Sequence, residues 1–333
     1  VKIAFFDTKV YDEEVFTEKN KLFHYDIKFF KSHLTRDTAH MASGFDTVCV
    51  FVNDELDTAT IDILHASGVK LIALRCAGFN NVDLNHAHDR IQVVRVPAYS
   101  PYAVAEHAVA LMMGLNRKTH RAYYRIRDYN FAIHGLMGFD MNGKTAGVVG
   151  TGKIGKILIK ILRGFGMEVL AFDAFPDEKA AAELGFSYTD MATLYRKSDI
   201  ISLHCPLTPE TNHMINKETL ALMKPGVLLI NTSRGGLIDT KALIAALKAR
   251  KIGGAGLDVY EEEGDYFFED MSNSQVDDDV LARLMTFNNV LVTSHQAFFT
   301  REALDNIAET TLGNIRAFEK GEKLVNGVCP HCS

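Results

Sequence analysis

The chain has 333 residues, 47% of them apolar and 23% charged, a globular composition with room for two ordinary cores. Its net charge of −6 argues against a nucleic-acid partner or an anionic membrane surface, and no apolar run is long enough to span a bilayer. The five cysteines are odd in number, with Cys49 and Cys205 in apolar, strand-like surroundings, which suits a reducing cytoplasmic setting. The apolar stretch within Val1–Asp7 is too short for a signal peptide.

Along the chain, Ile3–Phe6, Val48–Val52, Val69–Leu74 and Val93–Val96 read as short buried strands, with helical stretches such as Leu56–Ala66 between them. Such alternation predicts a parallel sheet covered by helices on both faces. Ser100-Pro101 then opens a long helical pattern reaching about Asp128, with serine as cap and proline at the first helical position. Within it, Arg117–Arg127 holds five basic residues among eleven, interleaved with His120, Tyr123 and Tyr124. That spacing fits the solvated or domain-bridging face of a helix better than a nucleic-acid patch. A second alternating series supplies strands at Thr145–Val149, Glu168–Phe172, Ile200–Leu203, Val227–Asn231, Gly254–Asp258 and Val290–Thr293. Arg301–Lys320 has helical periodicity and Gly321 is its stop. Two doubly wound α/β domains are therefore expected. Cys329 and Cys332 form a C-x-x-C in the tail, but without a second ligand pair no metal site is expected.

Gly150-Thr-Gly152-Lys153-Ile154-Gly155 matches G-x-G-x-x-G. The pattern is weak alone, but an apolar strand runs into it and a helical run, Ile154–Arg163, leaves it. The first glycine then serves a tight turn, the second a close approach to pyrophosphate, and the third helix–strand packing. The next strand ends at Asp173, eighteen residues past Gly155. A carboxylate there accepts from both ribose hydroxyls and repels a 2′-phosphate, and Ala174–Asp177 offers no arginine to hold one. NAD is expected in preference to NADP.

Three later strand ends carry Arg234, the acidic run Glu261–Glu263, and His295. Singly, each has an ordinary reading as an ion-pair partner, a solvated acidic loop or a hydrogen-bonded loop residue. Together they are what a 2-keto acid needs. A guanidinium grips the carboxylate with two hydrogen bonds, a histidine delivers a proton to the carbonyl oxygen, and a carboxylate favours the charged imidazole and orients it.

With Leu74-Arg-Cys-Ala-Gly78, Val96-Pro-Ala-Tyr99, His204-Cys205-Pro206 and Asn231-Thr-Ser-Arg234-Gly-Gly in this order, the chain resembles the D-isomer-specific 2-hydroxyacid dehydrogenase family over essentially its full length. The segments Glu261–Asp270 and Asn289–Phe299 look like the bacterial D-lactate dehydrogenase branch of that family. The resemblance implies a flavodoxin-like substrate domain (1–99 with 299–333), a Rossmann-type NAD domain (100–298) and a cleft between them. It implies that Arg234 binds the substrate carboxylate, that His295 is the acid and base, and that Glu263 is its partner. Backbone groups of Cys76, Ala77 and Gly78, together with Tyr99 and Phe299, are implied for the substrate, taken as pyruvate or D-lactate. Thr232, Ser233 and Asp258 are implied on the nicotinamide side, and His204, Cys205 and Pro206 near the adenosine. Tyr99 has a competing reading as a hinge tyrosine and Asp258 as a loop brace; Cys76 lacks an adjacent base and is not read as a nucleophile. Ser294 stands where many members have proline or glycine, so a local backbone difference is expected. At least a dimer is implied, with the Pro101–Asp128 helix as interface. A bulkier 2-hydroxy acid, or an NAD-sensing scaffold or corepressor without turnover, are the alternative functions.

Overall fold

The computed structural model describes residues 1–330. They fall into two compact units, Val1–Ser100 with the segment from Phe299 onward, and Pro101–Phe298. The α-helices of the described residues are α1 (Val10–Asn20), α2 (Thr58–Ala66), α3 (Leu84–Ala87), α4 (Pro101–Arg117), α5 (Thr119–Arg127), α6 (Lys153–Gly164), α7 (Glu178–Leu184), α8 (Met191–Lys197), α9 (Lys217–Leu222), α10 (Thr240–Lys248), α11 (Asp279–Met285) and α12 (Arg301–Glu319). None is long and apolar enough to cross a membrane.

The first unit is built on β1 (Lys2–Phe5), β2 (Asp26–Phe29), β3 (Thr47–Val50), β4 (Leu71–Leu74) and β5 (Gln92–Val94). All pair in parallel in the order β2-β1-β3-β4-β5, which is flavodoxin-like winding. Strands β3 and β4 are buried along their whole length, as expected when helices cover both faces. Strand β2 escapes the sequence pattern because it is a half-exposed edge strand with no continuous apolar run. At the other edge the tail closes β5, with an antiparallel bridge from Val94 to Gly327 and Val328 N–H donating to Val93 O at 2.9 Å. Helix α12 packs on α1 and β4, and Tyr25 Oη donates to Glu319 at 3.1 Å.

The second unit holds β6 (Thr145–Val149), β7 (Glu168–Phe172), β8 (Ser187–Tyr188), β9 (Ile200–Leu203), β10 (Leu228–Asn231), β11 (Gly254–Leu257) and β12 (Val290–Val292). Their order is β12-β11-β10-β9-β6-β7-β8, again all parallel. Alternate residues feed two cores, one per face. Val148, Ile200, Leu228 and Ile230 join Leu158 and Leu162 of α6, while Val149, Ile201 and Leu229 join Leu243 and Leu247 of α10. The winding reverses between β6 and β9, and ligands of such sheets bind at that reversal, beyond the strand C-termini.

One expectation is corrected. The helix predicted through Asp128 is two helices, because Lys118 between them adopts left-handed backbone (φ +50°). Asn116 explains the break: its amide donates to Phe139 O and its carbonyl accepts from Phe139 N–H, each at 2.8 Å, while Lys118 Nζ bonds Met137 O. A returning loop ends the helix, and a non-local contact of that kind leaves no mark at residues 116–119.

Candidate active site

The glycine turn joins β6 to α6. Gly150 has φ +93°, and a Cβ there would stand 2.6 Å from the carbonyl carbon of His204. A Cβ on Gly155 would stand 2.0 Å from Gly150 O, whereas one on Gly152 meets nothing within 4 Å. Two glycines are therefore demanded by the fold itself. The third borders open space at the N-terminus of α6, where no side chain caps the helix. Lys153, Ile154 and Gly155 follow in its first turn, whose N–H groups lack intrahelical partners, so the cradle fits a phosphate.

Asp173, at the end of β7, accepts from Thr151 N–H (2.6 Å) and Thr151 Oγ1 (3.0 Å) through Oδ2, and from Phe175 N–H (2.9 Å) through Oδ1. Partial burial pushes its pKa up, but these hydrogen bonds and the Lys156 charge outweigh it and hold the carboxyl below the ordinary aspartate range. It is an ionised acceptor with lone pairs to spare for ribose hydroxyls. His204 is enclosed enough that burial depresses its pKa to about 4, and its Nε2 pairs with Ser202 Oγ at 2.8 Å. Cys205 is pushed up to about 11 by burial, so it is a thiol and not a nucleophile; Pro206 beside it is exposed. Ser233 Oγ donates to Cys205 O at 2.7 Å, tying the loops after β9 and β10 together, and Thr232 Oγ1 is buried without a hydrogen-bond partner.

The arginine turn is shaped by Asn231, the first residue of the Asn231-Thr-Ser-Arg234 motif. Its Nδ2 donates to Arg234 O at 2.8 Å and its Oδ1 accepts from Ser233 N–H at 3.0 Å. Arg234 is half-buried, and its Nη1 donates to Ser233 O at 2.8 Å. A Cβ on Gly235 would lie 2.1 Å from the carbonyl of Tyr260. This close approach sets the arginine loop against the loop that carries the glutamates.

Of the three consecutive glutamates, Glu261 turns to His213 and to Thr240 N–H. Glu263 reaches His295: Oε1 lies 2.8 Å from Nδ1, while Oε2 accepts from Tyr260 N–H at 2.9 Å. Nδ1 is then the protonated nitrogen, which leaves Nε2 directed elsewhere. Phe268 tilts over the imidazole with ring centroids 5.9 Å apart. His295 itself has left-handed backbone, φ +53°, an uncommon conformation for a side-chain-bearing residue.

Asp258 is fully buried and braces that loop. It accepts from Thr293 Oγ1 (2.5 Å), Gln296 N–H (2.9 Å) and Ala297 N–H (2.8 Å). Burial raises its pKa, but bonds from His107, Thr293 and Ala297 prevail and keep it below the usual value. His107 lies outside the motifs and Thr293 sits within one without a role of its own; their convergence on Asp258 singles them out.

In the first unit, Cys76-Ala77-Gly78 leaves β4. Val96 N–H donates to Cys76 O (3.1 Å), Arg95 Nη1 to Ala77 O (2.8 Å) and Cys76 Sγ to Gly78 O (3.3 Å). The loop is thus held through its carbonyls, and the amides of Ala77 and Gly78 are not spent on those bonds. Tyr99 is half-buried after β5. Phe299 is half-exposed and packs edge-on against Tyr11, centroids 4.7 Å apart. Cys332 lies outside the described residues.

The chain is similar to known proteins over nearly its whole length. Residues 109–297 match the NAD-binding domain of D-isomer-specific 2-hydroxyacid dehydrogenases. The chain is 55% identical to the D-lactate dehydrogenase of Escherichia coli over 98% of its length and 99% of the relative's. It superposes on the pyruvate reductase of Chlamydomonas reinhardtii with a TM-score of 0.94, at 45% identity and 98% coverage of each chain. Against the D-lactate dehydrogenase of Lactobacillus jensenii, solved with NAD+, the TM-score is 0.83 at 33% identity, covering 98% of this chain and 99% of that one. The chain belongs to the D-isomer-specific 2-hydroxyacid dehydrogenase family, and its second unit carries that family's NAD-binding domain.

Proposed function

We propose that the protein is an NAD-dependent D-lactate dehydrogenase that reversibly reduces pyruvate. The observation that carries the reading is the 2.8 Å bond between Glu263 and His295, set at strand ends beside the Arg234 loop in a chain 55% identical to a D-lactate dehydrogenase. NADH, when bound, supplies a hydride to the keto carbon. Arg234 holds the substrate carboxylate with its guanidinium fork, which also places the carbonyl. His295 gives the proton on Nε2 to the carbonyl oxygen in reduction and takes it back in oxidation, while Glu263 fixes the ring through Nδ1. Backbone amides of Cys76–Gly78, together with Tyr99 and Phe299, are the first unit's candidates for substrate contact. On the cofactor, the Gly150–Gly155 turn holds the pyrophosphate and Asp173 the ribose. His204–Pro206 line the adenosine, and Thr232, Ser233 and Asp258 border the nicotinamide.

The test is kcat/KM for NADH oxidation with pyruvate, 2-ketoisocaproate, phenylpyruvate and hydroxypyruvate. Preference for pyruvate supports the substrate assignment, and preference for a larger keto acid transfers the same mechanism to that acid. NADH binding without turnover on any of them would favour a sensing scaffold.

The proposal includes a homodimer. Helix α5 buries none of its residues, and Tyr124, Tyr129, Phe131, Ile133 and Met137 are all largely exposed around it. Apolar surface of that extent marks an interface, and two-fold pairing is the commonest way to cover it. Light scattering is expected to give a dimer or a multiple of one, and Tyr129→Lys with Ile133→Lys a smaller species; a monomeric wild type would contradict the idea. A cytoplasmic location is part of the same reading.

A further inference from the structure

His107 lies on α4, far in sequence from the residues assigned to chemistry, yet its Nε2 stands 3.1 Å from Thr293 Oγ1 and 3.4 Å from Asp258 Oδ1. The direction of these bonds follows from counting protons. Asp258 is an ionised acceptor. Thr293 has one hydroxyl proton, and it is given to Asp258 at 2.5 Å. The threonine oxygen can then only accept from His107, so His107 Nε2 carries a hydrogen and acts as the donor.

Downstream, the links run to His295 and the two residues after it. The backbone carbonyl of Asp258 accepts His295 N–H at 2.7 Å, and its carboxylate takes the next two amides, Gln296 and Ala297. Three successive N–H groups thus end on one residue, and this fixes the left-handed backbone at His295 (φ +53°). A conformation of that kind persists only where its surroundings over-determine it. His107 supplies the outer donor of the clamp: it sets the Thr293 hydroxyl toward Asp258 and offsets part of a buried negative charge.

We propose that His107 is a positioning residue for the reaction, acting through Thr293 and Asp258 to hold the His295 imidazole where it transfers the proton. The inference rests on the assignment of His295 as acid and base. His107→Leu keeps the bulk and removes the donor, whereas His107→Gln puts an amide N–H close to where Nε2 stood. The Leu variant is expected to lose about tenfold in kcat, with KM for pyruvate and Kd for NADH within about twofold; the Gln variant is expected to recover most of the loss. Independently of turnover, hydrogen exchange of the peptide holding Gln296 and Ala297 is expected to quicken about tenfold in His107→Leu and to stay slow in His107→Gln.

Faster exchange with unchanged kcat would make His107 a loop anchor only and overturn the proposal. Lowered kcat with unchanged exchange would overturn it too, because the effect would not run through the loop. If the Leu variant does not fold, His107→Asn, whose amide is too short to reach Thr293, serves the same comparison. His295→Ala separates the two layers. Should that variant retain activity, the acid–base assignment fails; should it be inactive while His107→Leu turns over normally, only the positioning role fails.

Discussion

The glycine turn offers a test in which two similar substitutions have opposite consequences. At Gly152 an added methyl meets nothing within 4 Å, and the backbone (φ −65°, ψ −166°) suits alanine. The cost to the empty protein is that of a poorer helix cap, at most about 1 kcal/mol, or roughly 2–4 °C in Tm for a domain of this size. The same methyl fills the space into which the cradle would admit a pyrophosphate, so Gly152→Ala is expected to weaken NADH binding at least about tenfold, or about 1.4 kcal/mol. At Gly155 the methyl would lie 2.0 Å from Gly150 O, well inside contact distance and against backbone that cannot rotate away. Overpacking of that kind costs about 1–3 kcal/mol or more, and Gly155→Ala is expected to melt well below wild type even without cofactor. Calorimetric melting and NADH titration of both variants check the pair. Wild-type affinity in Gly152→Ala, or wild-type Tm in Gly155→Ala, would refute the steric reasoning.

Three further outcomes are expected. Arg234→Lys replaces a two-pronged donor with a point charge and should lower kcat/KM for pyruvate at least about a hundredfold, about 2.7 kcal/mol, with NADH affinity retained; near-normal turnover would remove Arg234 from the carboxylate role. Glu263→Gln keeps a hydrogen-bonding group beside His295 but not its charge, and kcat should fall about tenfold or more at unchanged Tm; a fall in Tm with normal kcat would make Glu263 a structural residue. Asp54, fully buried and accepting from Leu34 and Phe51 N–H at 2.6 Å each, has its pKa raised to about 6, because burial outweighs the nearby Arg75. The folded state therefore binds this proton more tightly than the unfolded chain. Its contribution falls by on the order of 3 kcal/mol as pH rises from about 4 to about 6. His204, with its lowered pKa, titrates in the opposite sense, so the informative quantity is the difference between wild type and Asp54→Asn. That difference in Tm should move in favour of Asp54→Asn across this window, and a flat difference would show that Asp54 does not titrate there.

Much of this was legible in the sequence because the carriers were local. A strand running into three spaced glycines, an aspartate at the next strand end, and arginine, glutamate and histidine after later strands all lie where parallel-sheet topology puts ligands. Where the signal was not local it was lost. Strand β2 is half-exposed and lacks an apolar run. The break at Lys118 is made by a loop twenty residues on, through Asn116 and Phe139. The left-handed backbone at His295 has no glycine or asparagine to announce it, and it depends on Asp258, which is 37 positions away in the numbering. Asp258, weighed from sequence as a cofactor neighbour or a loop brace, accepts from the Gln296 and Ala297 amides in the fold. Its partners His107 and Thr293 sit in an ordinary helix and an ordinary strand end, so nothing short of the folded arrangement singles them out.

Reduction of pyruvate to D-lactate is checked by chiral chromatography of the product formed from pyruvate and NADH by the wild-type protein, with NADH consumption followed in parallel. D-lactate is expected in one-to-one proportion to NADH oxidised, with loss of both on His295→Ala while NADH still binds. L-lactate as product, or binding of NADH with no lactate formed, would contradict it.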